Sequence, residues 1–214
     1  MIAFSGLDGA GKSTQIELLN DHLTKSGREV TIFWSRGGYT PGIEWMKTVL
    51  RKLKPSEIPK ERGHTEQRER AFEDTKVRKV WLNLALLDLI WYYGVVLRFI
   101  SLFKLVICDR YLIDTQIDFE LNFPQEKVSQ WWLWKILVTV ALKPKHHFIL
   151  TIPVAESQRR SLLKEEPFPD SPEVLELRLN RYLAFSSNNK FAQHIDCMQP
   201  LEKVADRIKS IVSA

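Results

Sequence analysis

Apolar residues along this chain fall into short continuous runs separated by longer stretches of helical period. Residues 2–5 form a brief apolar run that ends at Gly6, and over 12–25 the positions Ile16, Leu18, Leu19 and Leu23 make one helical stripe that stops at Gly27. Similar short runs at 30–34, 105–108, 147–152 and 191–195 read as strands. Helices are predicted after Pro41 and over 66–103, 125–142, 155–164, 172–186 and 200–212. Pro55, Pro59 and Gly63 make 54–65 a loop, and 165–170, with Pro167 and Pro169, is another. Strands that are short, uniformly apolar and alternate with helices belong to a parallel sheet covered on both faces. The pattern therefore predicts a three-layer α/β fold.

The helix over 66–103 is strongly apolar in its second half. Asn83, Asp88, Arg98 and Lys104 interrupt it, leaving no uncharged apolar stretch of about 18 residues, so a buried or dimer-facing helix is expected and not a bilayer span. Trp131, Trp132 and Trp134 on the 125–142 helix read as core or dimer interface in the same way.

At 214 residues the chain suits a single α/β domain over 1–214, and its 44% hydrophobic and 27% charged composition predicts no long disordered tail. A net charge of +5 fits either a nucleic-acid surface or a site for polyphosphates. The basic clusters at 51–54 and 62–70 carry no interleaved aromatics of the kind that stack bases, so no nucleic-acid partner is expected. Cys108 and Cys197 belong to no CxxC or Cys/His pattern and read as buried thiols in a reducing compartment. With no basic segment ahead of the first apolar run, no export signal is expected, and the cytoplasm is the expected location.

The candidate chemistry begins at Gly6-Leu7-Asp8-Gly9-Ala10-Gly11-Lys12-Ser13, a complete G-x-x-x-x-G-K-[ST] motif between a predicted strand and a predicted helix. Such a loop turns backbone N–H groups inward around phosphate oxygens, and the following helix adds its positive end. The expected fold is thus a P-loop NTPase fold that binds ATP with Mg²⁺ through Gly6, Asp8, Gly9, Ala10, Gly11, Lys12, Ser13 and Thr14. Lys12 is expected to meet the β- and γ-phosphates and Ser13 the metal. Asp109, at the end of an apolar run, is placed to face the same metal, and Arg110 can grip two oxygens of an anionic acceptor. Arg36, after the second strand, is a further acceptor candidate. Arg159 and Arg160 precede a Pro- and Glu-rich stretch, so 157–172 is a candidate lid that would bring one arginine over the transferring phosphoryl group.

These residues carry a family resemblance. Phe4 to Gln15 is similar to the opening of thymidylate kinases, Asp109-Arg110-Tyr111 to their DR[YH] element, and Asn180 to Leu183 and Ile195-Asp196 to their C-terminal helix and closing strand. The resemblance implies a five-stranded parallel sheet, often a homodimer, and transfer of the ATP γ-phosphoryl group to dTMP. It implies that Asp8 contacts the acceptor's sugar hydroxyl, and Arg110 and Arg36 its phosphate. Gly9 stands where some members carry an assisting arginine, which would shift that role to Arg159 or Arg160. The loop after the second strand reads Arg36-Gly37-Gly38-Tyr39-Thr40 instead of R-E-P-G-G-T, and 81–88 lacks the family's base-reading arginine. Asp114 replaces a common serine and Asp118 a common tyrosine. Two alternatives remain open: a P-loop kinase with another small acceptor, for which Asp109, Asp114 or Asp118 would be the base, and a non-catalytic nucleotide-binding module.

Overall fold

The computed structural model describes residues 1–34, 72–164 and 169–213. Arg36, the helix after Pro41, the 54–65 loop and both basic clusters lie outside the described residues, as does 165–168 of the candidate lid.

Five strands, β1 (Ile2–Gly6), β2 (Val30–Trp34), β3 (Leu105–Asp109), β4 (His146–Thr151) and β5 (Ala192–Asp196), form one parallel sheet in the order β2-β3-β1-β4-β5. Strand side chains alternate between two apolar layers. Ile2, Phe4, Ile107, Phe148 and Leu150 face α1 (Lys12–Lys25) and the last helix, α7 (Leu201–Ser213), through Ile16, Leu19, Val204 and Ile208. Ala3, Val106 and Cys108 face the opposite layer, which contains α2 (Thr75–Ile100), α3 (Leu112–Asn122) and α4 (Trp132–Val140). A third cluster packs Ile149 and Leu7 against α3 and α6 (Pro172–Asn188). Helices therefore cover both faces, as the uniformly apolar strands require. Both cysteines are buried thiols.

Helix α2 buries Leu82, Ala85, Leu86, Leu89, Tyr93 and Leu97, a three-and-four spacing that defines one helix face. Its opposite side leaves Val80, Leu87 and Trp91 exposed. By length and composition this helix could cross a bilayer, with a mean hydropathy of 1.7 over an 18-residue window, but its buried face is part of the layer on the sheet. A π-helical turn at Tyr92–Val96 surrounds Gly94, where a Cβ would come within 2.9 Å of Val140 Cγ2 on α4. Glycine there lets the two helices cross closely.

Two elements differ from the sequence expectation. Helix α3 was not predicted, although Asp114 at its third position, accepting the Tyr111 N–H at 2.9 Å, is the side-chain half of an N-terminal capping box. The helix expected over 125–142 begins only at Trp132. Before it lie two 3₁₀ turns, Pro124–Glu126 and Val128–Gln130, separated by Lys127 at φ 47°, which cannot continue a right-handed helix. Trp134 enters the core, whereas Trp132 is exposed.

Candidate active site

Pairing of Phe4 with Asp109 sets the C-terminal ends of β1 and β3 side by side, so the loop after β1 meets the residues that follow β3. In open parallel sheets this edge is where ligands bind. Gly6 passes so close to β4 that a Cβ would lie 2.0 Å from the Leu150 carbonyl oxygen. Gly9 and Gly11 hold φ of 76° and 86°, a left-handed backbone that turns the loop back toward α1. The N-terminus of α1 has no side-chain cap and no acidic residue in its first turn, so its N–H groups are left for an external anion.

One cavity is lined by Asp8, Gly9, Gly11, Lys12, Ser13, Thr14, Trp34, Asp109, Arg110 and Lys164. It brings together most of the residues singled out in the sequence. Lys12 Nζ donates to the carbonyls of Gly6 at 2.9 Å and Leu7 at 2.7 Å, and lies 3.7 Å from Asp8. Burial, and then the neighbouring Arg110, lower its pKa to about 8 against the pull of Asp8, Asp109 and Asp114. Burial raises the pKa of Asp109, with Lys12 and Arg110 opposing. Asp109 Oδ1 is buried without a hydrogen-bond partner among the described residues. A buried carboxylate oxygen of this kind, in one cavity with the exposed Ser13 hydroxyl, fits a hard divalent cation that keeps most of its shell for water and phosphate oxygens. Among the described residues no cluster of three His, Cys, Asp or Glu offers a fuller metal cage.

Arg110 is buried, carries φ 72°, donates to Asp8 Oδ1, and places Nη1 3.5 Å from Asp114 Oδ1. Burial opposes its charge, but Asp8 and the groups beyond it outweigh that effect and raise its pKa. The arginine remains a cation under all working conditions.

The two candidate lid arginines separate cleanly. Both pair with Glu156 on α5 (Val154–Leu163), and hydrogen bonds from Arg159 and then Arg160 pull that carboxyl's pKa down to about 2. Only Arg160 turns inward, its Nη1 donating to the Gly9 carbonyl at 3.0 Å, while the Arg159 side chain is 61% exposed. Ser157, one turn earlier, donates to the Asp8 carbonyl at 2.6 Å, so α5 grips the loop at two successive carbonyls. A Cβ at Gly9 would meet Arg160 Cβ at 2.9 Å. The Gly9 side of the loop is thus packed against Arg160.

Two further sequence candidates are occupied elsewhere. Asp114 is 1% exposed and accepts from Ser5, Tyr111 N–H and Tyr182, and Asp118 pairs with Arg178 at 2.7 Å. Neither is free to take a substrate proton, which leaves Asp109 alone among the three bases considered for a hydroxyl acceptor. Residues missed in the sequence are Trp34, Lys164 and Ser157. Trp34 ends β2 at the ligand-binding edge, a position that could have marked it; nothing local distinguishes Lys164 or Ser157.

Comparison with known proteins matches residues 4–208 to the family model described as thymidylate kinase. The chain is similar to the thymidylate kinase of Bartonella henselae, 28% identical over 98% of this chain and 93% of the relative. It is likewise similar to that of Desulfotalea psychrophila, 28% identical over 95% of this chain and 89% of the relative. A shorter match, 48% identical over 23% of each chain, is to the thymidylate kinase of Chlorobaculum parvum.

Proposed function

Because the chain belongs to the thymidylate kinase family, we propose that it transfers the γ-phosphoryl group of ATP to the phosphate of dTMP, giving dTDP and ADP. The observation that carries this reading is the convergence of Lys12, Ser13, Asp109 and Arg110 on one cavity at the ends of β1 and β3. ATP phosphates would lie against the loop N–H groups and the α1 N-terminus, with Lys12 leaving the Gly6 and Leu7 carbonyls to meet them. Ser13 and Asp109 would hold Mg²⁺, whose chemistry when bound is to supply positive charge to the polyphosphate.

Arg110 would hold the acceptor phosphate with its fork and align one oxygen for in-line attack, and Asp8, released from Arg110, would turn to the acceptor's sugar. The acceptor oxygen is already anionic, so no general base is needed. Catalysis then rests on alignment and on cations already in place. Arg160 is assigned to fixing the P-loop and Arg36 to the acceptor phosphate. Segment 157–172 is the proposed lid of a catalytic unit spanning 1–214, with 157–163 lying within α5. A cytoplasmic homodimer using a small nucleotide and no nucleic acid completes the proposal.

The test is ADP release with ATP and Mg²⁺ across dTMP, dUMP, dCMP, UMP, AMP, GMP and thymidine. Stimulation greatest with dTMP is expected; stimulation by thymidine alone would move the assignment to a hydroxyl acceptor, and by none to a nucleotide-binding module.

A further inference from the structure

Helices α3 and α6 are joined by two buried polar rungs, four residues apart on both helices. Tyr182 Oη donates to Asp114 Oδ1 at 2.8 Å, and Arg178 Nη1 donates to Asp118 Oδ1 at 2.7 Å. Both aspartates therefore have partners across the helix pair.

The first rung meets Arg110, which lines the cavity, at 3.5 Å, whereas Asp118 is the more weakly acting of the two aspartates on that guanidinium. Asp114 Oδ2 accepts from the Ser5 hydroxyl and the Tyr111 N–H, while Oδ1 faces Tyr182 and Arg110 Nη1. Ser5 gives its hydrogen to Asp114, so its oxygen accepts from His147 Nε2–H at 2.9 Å, which fixes the imidazole tautomer. Burial lowers the His147 pKa to about 4, so the ring stays neutral near pH 7. Asp114 is thereby immobilised from β1, β4, α6 and its own helix.

Arg110 needs such an anchor. Its left-handed backbone is disfavoured for a residue with a Cβ, and of the two carboxylates ion-paired with it among the described residues Asp8 is 30% exposed on a loop while Asp114 is 1% exposed. An incoming phosphate competes with Asp8 for the guanidinium but leaves the Asp114 contact in place. We infer that Asp114, locked by Tyr182 and by the Ser5–His147 pair, is the positioning residue that aims Arg110 at the acceptor phosphate.

This inference rests on the dTMP kinase reading, and its test separates the two. Steady-state kinetics would compare the full chain with Tyr182→Phe, Asp114→Asn and Asp118→Asn. Tyr182→Phe should raise KM for dTMP about 3- to 10-fold and Asp114→Asn about 10-fold or more, with KM for ATP within about twofold. Asp118→Asn, which loosens the same helix pair through the other rung, should lower Tm and leave KM for dTMP within about twofold. Equal rises in all three variants, or equal rises for ATP and dTMP, would reduce the network to a structural brace and overturn the inference.

Absence of dTMP turnover in the parent chain would instead sink the kinase reading. The positioning claim is then decided without nucleotide, from ¹H–¹⁵N spectra of arginine-labelled protein. A slowly exchanging Arg110 guanidinium signal, lost in whichever of Tyr182→Phe and Asp114→Asn folds, is expected; its absence from the parent chain, or its survival in those variants, would overturn the claim.

Discussion

Replacing Arg160 by alanine should damage the enzyme in a way that replacing its neighbour Arg159 does not. Both side chains bond to Glu156, but Arg160 alone adds a charged hydrogen bond, at 3.0 Å, to the Gly9 carbonyl inside the phosphate loop. Hydrogen bonds from a charged donor are worth about 1.5–3 kcal/mol. Ser157 still holds the adjacent Asp8 carbonyl at 2.6 Å, so the loop keeps one of its two clamps and the lower end of that range applies. About 1.5 kcal/mol corresponds to roughly a tenfold loss of kcat/KM for ATP. The Arg159 side chain is 61% exposed, so its removal costs only a solvent-screened ion pair and should have less than about a twofold kinetic effect. The assay is initial velocity against ATP at saturating dTMP, with Tm measured for each variant. Equal losses for the two variants, or a larger loss for Arg159→Ala, would refute the assignment of Arg160 to the loop.

Two further predictions follow from ionisation. Lys12, with a pKa lowered to about 8, should leave ATP affinity flat below that pH and weaken it by up to about tenfold per unit above it. Fluorescence titration from pH 6 to about 10 would show this, and Lys12→Met should abolish the dependence. Asp88 on α2 has its pKa raised by burial to about 6, and its Oδ2 has no hydrogen-bond partner among the described residues. Its folded form binds the proton more tightly than the unfolded chain does, so its contribution to stability falls as pH rises from the ordinary aspartate value of 3.8 to about 6 and stays low above that. Asp88→Asn should therefore stabilise the protein at pH 8 by about 1 kcal/mol, allowing for solvent screening, and by nothing at pH 3. Urea unfolding at both pH values checks the sign.

The parts of this molecule that were legible in its sequence are those in which neighbours along the chain are also neighbours in chemistry. The loop over 6–13 states its function through spacing alone, and β3 delivers Asp109 and Arg110 because an apolar strand must end at the ligand edge of a parallel sheet. What could not be read depends on the crossing of distant elements. Tyr182 and Asp114 are 68 residues apart, and Gly9 and Arg160 are 151 apart, so no local pattern announces either contact. Helix α3 escaped notice because its inward side carries Asp114 and Asp118, which look solvent-facing until Tyr182 and Arg178 are seen to satisfy them. The helix expected from 125 was extended too far back because Lys127, a good helix former by composition, adopts a left-handed backbone between two 3₁₀ turns.

In the proposed reaction the γ-phosphoryl group of ATP ends on the phosphate of dTMP under the grip of Arg110. Incubating the protein with γ-³²P-ATP, Mg²⁺ and dTMP, then separating nucleotides by anion exchange, tests it directly. Label in dTDP, reduced at least about 100-fold in Arg110→Ala while ATP affinity is unchanged, is the predicted result. Label that appears only in inorganic phosphate, or in dTDP at the same rate in both proteins, would contradict it.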